Sequence, residues 1–214
     1  MLKLLEPVWA KKIFIAMYTT FQQTSLLYYL LPICADIFVF VYPIFLVILY
    51  LWGIVKADWY YKKASLWIFF ATVFSAIVNV FGLQSFFEKQ RPNIFLNLEL
   101  QDTGETILHH YLPASSFPSD HATVSMAIAV ATLLWGIQHK DRKFRIFGYV
   151  LIGISLLMSF SRVAVGVHWF TDVLAGLCLG VVIPFFLSRK VIAKFLEKYF
   201  FAYLIRFQEF ILRR

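Results

Sequence analysis

Cysteine is almost absent from these 214 residues: there are two, Cys34 and Cys178. They lie far apart in apolar segments and match no CxxC or zinc spacing, so neither a disulfide framework nor a thiolate metal site organises the chain. Charge is also scarce, at 15% of residues, and acids (12) are fewer than bases (20), for a formal net charge of +8. Internal repeats, low-complexity tracts and a soluble second domain are missing, which leaves a single domain spanning 1–214 as the expectation. Apolar runs recur to about residue 188, so a cleaved leader followed by a soluble mature chain is not expected.

What the chain has in quantity is apolar surface. It is 61% hydrophobic and 19% aromatic, with a mean hydropathy of +0.74, well beyond an average soluble domain. That composition describes an integral membrane protein. The positive charge does not point to nucleic acid, because the basic residues fall in short clusters between apolar spans rather than along one polar face.

Four runs, 33–55, 64–87, 119–138 and 170–188, are each near the ~20 residues that cross the hydrocarbon layer as a helix. A fifth, 146–161, is short of a full crossing unless the helix continues past Arg162, which would leave that residue recessed. Residues 13–31 carry no charge but hold Thr19, Thr20, Gln22, Gln23, Thr24 and Ser25. They form either a sixth crossing or an interfacial helix, and a crossing is favoured because it would put Lys3, Lys11 and Lys12 on the cytoplasmic side. The fold class is therefore all-α, a polytopic transmembrane bundle of five spans with a sixth at the amino terminus.

Alternation of the spans puts loops 56–63 and 139–145 and the tail from 189 on one side, with most of the Lys and Arg. By the positive-inside rule that side is cytoplasmic, and the segments 88–118 and 162–168 face outward. The connection 93–117 is long enough to be an outward-facing substrate element. The tail 189–214 alternates basic and aromatic residues as an interfacial helix does. The adjacent His109 and His110 belong to a surface loop rather than a metal site, since neighbouring side chains diverge.

The outward side collects the ionisable residues that a membrane span normally excludes. They come in three stretches: EKQRPN (88–93), FPSDHAT (117–123) and SRVAVGVHWFTDVLAG (161–176). His168 and Asp172 are four apart, which on a helix lets the carboxylate fix the imidazole tautomer. Pro118, Ser119 and Asp120 are helix-start chemistry, and a helix start offers unpaired N–H groups to an anion. Arg91 and Arg162 add planar cationic forks suited to phosphate. Each has a plainer reading: His168 as an interfacial anchor, the PSD triplet as a cap, Arg-Pro as a helix end beside headgroups. Their meeting on one face favours a phosphoryl-transfer site, with a nucleophilic histidine, a second histidine, two arginines and a helix amino terminus.

With these residues in view, the chain resembles the type-2 phosphatidic acid phosphatase superfamily, whose motifs read KxxxxxxRP, PSGH and SRxxxxxHxxxD. The third is complete from Ser161 and Arg162 through His168 to Asp172. The second matches at Pro118, Ser119 and His121, and the first at Arg91 and Pro92. The resemblance implies that His168 attacks phosphorus, Asp172 orients it and His121 protonates the leaving oxygen. Arg91, Arg162, Ser119 and nearby backbone amides would hold the phosphoryl oxygens. It also implies that no metal or other cofactor is needed.

Two positions depart from the pattern. Gln84 stands where the family has lysine, so either its amide bonds the phosphate or Lys89 reaches in from another face. Asp120 replaces glycine, and its carboxylate is expected to turn away and cap the helix while its N–H faces the ligand. The form PSDH resembles the bacterial undecaprenyl-diphosphate phosphatase branch. The expected function is thus hydrolysis of a membrane lipid phosphate or diphosphate at the outer face of a bacterial inner membrane, undecaprenyl diphosphate first. Lipid A, phosphatidylglycerophosphate or phosphatidic acid are the alternatives, and a lipid phosphotransferase or a lipid or anion transporter are the rivals.

Overall fold

Each long apolar run folds as a helix, because away from water only a helix satisfies its own backbone N–H and C=O groups. A computed structural model describes residues 2–98 and 115–212. Its elements are α1 (Val8–Gln23), α2 (Ser25–Asp36), a 3-10 turn (Ile37–Phe40), α3 (Val41–Val55) and α4 (Trp59–Ile77), which a π-helical segment (Val78–Gln84) prolongs. After these come α5 (Pro92–Phe95), α6 (Asp120–Gln138), α7 (Arg142–Ala164), α8 (Phe170–Leu187), α9 (Lys190–Leu196), a π turn (Glu197–Phe201) and α10 (Ala202–Leu212). Two short strands, β1 (Leu2–Lys3) and β2 (Phe87–Glu88), pair in parallel.

Among the described residues, five helical runs are long and apolar enough to span a bilayer: Ser25–Val55, Trp59–Gln84, Asp120–Gln138, Arg142–Ala164 and Phe170–Leu187. Their outer faces expose large apolar side chains such as Ile48, Phe69, Phe147, Val182 and Phe186. The interior mixes large apolar side chains such as Trp67, Leu151 and Met158 with many small and polar ones. An apolar outer face of this kind is the pattern expected where lipid is the solvent.

Helix α6 is the central element, packed against α4, α7 and α8. Its buried positions are largely Ala, Ser and Thr, which let neighbouring backbones come close. Opposite it, a β-carbon added at Gly176 would lie 2.6 Å from the Ser119 carbonyl oxygen, and one at Gly180 2.7 Å from that of Thr123. Only glycine permits the α6–α8 approach there, as in membrane helix pairs built on GxxxG. Interhelical polar contacts add to it, with the hydroxyls of Ser125 and Ser155 2.7 Å apart and Tyr42 donating to the Leu151 carbonyl at 3.1 Å.

The sixth crossing expected over 13–31 does not form. The segment breaks at Thr24, whose backbone is extended, between α1 and α2. Helix α1 lies across one end of the bundle instead. Phe14 packs on Val163, Trp169 and Val173, and Phe21 on Ala164, Val165 and Val167. With only 16 residues and Thr and Gln along it, α1 suits an interface better than a span. Lys3 and Lys11 therefore lie at the same end as residues 162–172, Lys3 paired with Glu88 and Lys11 over the Phe95 ring at 4.7 Å.

The short fifth run becomes a full 23-residue helix, because Asp141 caps it upstream by accepting from the Lys143 N–H at 2.8 Å. It continues past Arg162 to Ala164, as a recessed arginine requires. At the far end of the bundle the tail folds back on α4, where Lys62 meets Glu209 at 3.0 Å and Lys63 meets Glu197 at 2.6 Å. Most of the connection 93–117, with His109 and His110, lies outside the described residues.

Candidate active site

The three polar stretches meet at the end of the bundle that α1 covers. Glycine at 166, with φ of 91°, turns the chain sharply after α7. The Arg162 carbonyl closes that turn by accepting from the N–H groups of Val167 and His168, both at 3.2 Å. The 89–93 segment is laid against the turn by backbone bonds: Asn93 N–H to the Gly166 carbonyl at 3.2 Å, and the Trp169 indole to the Gln90 carbonyl at 2.8 Å. The third stretch docks through Ser116 N–H to the Lys89 carbonyl at 2.9 Å and Ser119 N–H to the Asp172 carbonyl at 3.0 Å.

His168 sits at this junction, 2% exposed. Its Nδ1 is 3.0 Å from the Ser116 carbonyl oxygen. A carbonyl can only accept, so Nδ1 carries the proton and Nε2 keeps its lone pair. Nε2 lies 3.3 Å from Nη1 of Arg91, which also reaches the Val167 carbonyl at 3.4 Å.

The tautomer is set differently from the expectation. His168 precedes α8 rather than lying on it, and the Asp172 carboxylate is 3.7 Å from Nδ1, too far for a hydrogen bond. Asp172, fully buried, instead accepts from the Trp169 N–H through Oδ2 at 3.0 Å and from Lys89 through Oδ1 at 2.6 Å. It shapes the His168 turn through the backbone and faces the ring as a nearby carboxylate paired with Lys89 rather than a direct acceptor.

Lys89 is held by acidic and hydroxyl side chains. Its ammonium is held by Asp172, by the Glu6 carboxylate at 2.6 Å and by the Thr171 hydroxyl at 2.7 Å. Gln84 is likewise committed, donating to the Pro118 carbonyl at 2.8 Å and to Asp120 Oδ1. Asp120 Oδ1 also accepts from Asn79, at 2.9 Å, and no side chain caps α6.

Asn79 and Gln84 are five residues apart, about 140° around an α-helix at 3.6 residues per turn. The π-helical segment brings them to one side, since i to i+5 pairing stacks such residues.

Ser119, at the start of α6, is fully buried and its hydroxyl has no hydrogen-bond partner. His121 follows in the first turn of that helix, half-buried. Arg162 is fully buried, and its Nη1 contacts Asp36 Oδ1 at 3.2 Å and the Ala35 carbonyl at 3.3 Å.

Glu6, Asp36, Asn79 and Ser116 complete the arrangement and were not singled out from the sequence. For Asp36 a signal existed, as the lone charge between residues 25 and 55. Glu6 and Ser116 carry no local signal, because their partners lie far along the chain.

A bundle of membrane-grade helices that gathers a buried histidine, two arginines and a helix amino terminus at one end defines a class of integral membrane protein with a polar site inside its apolar bundle. The chain belongs to the PAP2 superfamily, whose model matches residues 64–195. Putative undecaprenyl-diphosphatase YbjG of Escherichia coli is 32% identical over 142 residues, 66% of this chain and 62% of that protein. Undecaprenyl-diphosphatase BcrC of Bacillus subtilis is 39% identical over 87 residues, 41% of this chain and 40% of that protein. The matches thus span less than two thirds of either relative. Among solved structures, LpxE of Aquifex aeolicus shares the fold, with a TM-score of 0.61 at 19% identity, over 89% of this chain and 99% of that one.

Proposed function

We propose that this protein is a lipid phosphatase that hydrolyses undecaprenyl diphosphate, without metal, through a phosphohistidine at His168. The observation that carries the proposal is the state of that ring: buried, protonated at Nδ1 by its bond to Ser116, with Nε2 free of a proton beside the Arg91 guanidinium.

In the first step Nε2 attacks phosphorus, the N–P bond forms, and the bond from phosphorus to the leaving oxygen breaks. His121 gives that oxygen its proton, releasing the lipid product. In the second step water attacks phosphorus, passes a proton to His121, and inorganic phosphate leaves as His168 is restored. Arg91, Arg162, Ser119 and the N–H groups at the start of α6, that of Asp120 included, stabilise the charge on the phosphoryl oxygens. Gln84 takes part indirectly, by holding Pro118 and Asp120 in place.

The undecaprenyl assignment rests on the names of the two relatives and on the PSDH form of residues 118–121. The recessed position of Arg162 suits a substrate that keeps its tail in the bilayer and presents only its phosphate. Clusters of Lys and Arg at the opposite end, from Lys56 to Lys63, Lys140 to Arg145 and along the tail, support an outward-facing site in a bacterial inner membrane.

The test is phosphate release by purified protein, with chelator present, across undecaprenyl diphosphate, lipid A, phosphatidylglycerophosphate, phosphatidic acid and a short water-soluble ester. Preference for undecaprenyl diphosphate is expected. Equal turnover of the soluble ester would overturn the lipid assignment, and loss of activity with chelator would overturn the metal-free one.

A further inference from the structure

The matched family region begins at residue 64, yet the amino-terminal segment enters the site. Strand β1 pairs with β2 in parallel, Leu2 with Phe87 and Lys3 with Glu88, and the Leu4 N–H extends the pairing to the Glu88 carbonyl at 2.9 Å. Parallel strands advance together, so this register delivers Glu6 to the residues just after Glu88. Pro7 then starts α1 and turns the chain across the mouth of the site.

Glu6 is the least expected component of the site, with its side chain 1% exposed. Its Oε2 accepts from Lys89 at 2.6 Å and from the Thr171 hydroxyl. An ammonium has three protons, and here Glu6, Thr171 and Asp172 take one each. Lys89 is saturated and serves as a bridge from Glu6 to Asp172.

The charges explain why a bridge needs both ends. Lys89 with Asp172 alone sums to zero, and Asp172 would then exert little field on His168, 3.7 Å away. Adding Glu6 makes the group two carboxylates and one ammonium, net −1. Attack by Nε2 leaves the imidazole ring positive while it carries the phosphoryl group, and a net negative neighbour favours that state. Glu6 also fixes where Lys89, and so the Asp172 carboxylate, can sit.

We propose that Glu6 is a positioning residue of the active site: acting through Lys89, it fastens Asp172 and keeps the cluster negative, so that the phosphorylated His168 is stabilised. This rests on the phosphohistidine reading. Residues 2–7 are then part of the catalytic unit and not a dispensable leader to α1.

The test compares the full-length wild type with Glu6→Gln, with Lys89→Met and with the double variant Glu6→Gln/Lys89→Met, using undecaprenyl diphosphate. Glu6→Gln preserves shape and one acceptor while removing the charge. It is expected to lower kcat and the single-turnover rate of His168 phosphorylation by about tenfold, with KM and melting temperature unchanged. In the double variant, with the bridge gone, Glu6→Gln is expected to cost no further rate relative to Lys89→Met alone, because Glu6 acts through Lys89. If Glu6→Gln phosphorylates at the wild-type rate, or loses rate only in step with melting temperature, the inference fails while the mechanism stands. An equal loss from Glu6→Gln with and without Lys89 would also overturn it. If the wild type forms no phosphohistidine at residue 168, the underlying mechanism fails first.

Discussion

Gln84 and Asp120, the two positions at which this chain departs from the motifs of its family, are hydrogen-bonded to one another. An amide in place of a lysine and a carboxylate in place of a glycine look like one lost positive charge and one added negative charge in the linear motif. In the folded chain they form a single contact between the end of α4 and the start of α6, and Asn79 completes it.

That pairing predicts coupled mutations. Gln84→Leu removes one donor from the Asp120 carboxylate and the side-chain donor of the Pro118 carbonyl, at a cost of about 1–3 kcal/mol. Gln84→Leu with Asp120→Gly should recover part of this, measured as a coupling energy in a melting cycle. Gln84→Lys places an ammonium against Asp120, and turnover at or above wild type is expected. A tenfold loss would show that the neutral amide is itself required.

Loss of His168 should abolish chemistry and spare binding. For His168→Asn, kcat is expected to fall by about a thousandfold or more, with no trapped phosphoenzyme and lipid affinity retained. Undiminished lipid turnover or flux would instead point to a binding or transport role.

Arg91 and Lys89 should fail in different ways, although they are two residues apart. Arg91 lies beside Nε2, so Arg91→Ala is expected to cost about a hundredfold or more in kcat with a normal melting temperature. Lys89→Met leaves Glu6 and Asp172 facing each other without their cation, which destabilises by roughly 3–5 kcal/mol. Melting curves alongside kinetics separate the two. A stable, slow Lys89→Met protein would mean that the lysine serves the phosphate directly.

Gly176 controls how closely α6 meets α8. An alanine there would bring its β-carbon to 2.6 Å from the Ser119 carbonyl oxygen, which is backbone and cannot swing aside. Gly176→Ala should therefore destabilise by about 1–3 kcal/mol and lower turnover by loosening the bond from Ser119 to Asp172. Gly153, with open space around it, is the control, and its alanine variant should behave as wild type.

The amino-terminal stretch was the part of the fold least accessible from composition. Residues 13–31 are apolar enough to cross, and hydropathy does not distinguish a span from a helix that buries one face on a protein surface. The difference lies in Phe14 and Phe21, which find Trp169 and Val165 through contacts more than a hundred residues away in sequence. The span of α7 was easier to anticipate, since Asp141 is a local cap and Arg162 a local anomaly.

Spacing along the chain was enough to assign an all-helical membrane architecture, the family, and the three stretches that meet. Those properties depend on hydrophobic run length and on charges placed where lipid penalises them, both of which are local quantities. The partners of each charge were decided only in three dimensions. His168 turns to the Ser116 carbonyl instead of Asp172, Lys89 is claimed by Glu6 and Asp172, and Arg162 pairs with Asp36. A buried ion takes whichever counter-charge the packing brings within about 3 Å, and strand register, a π-turn and two glycines set that packing.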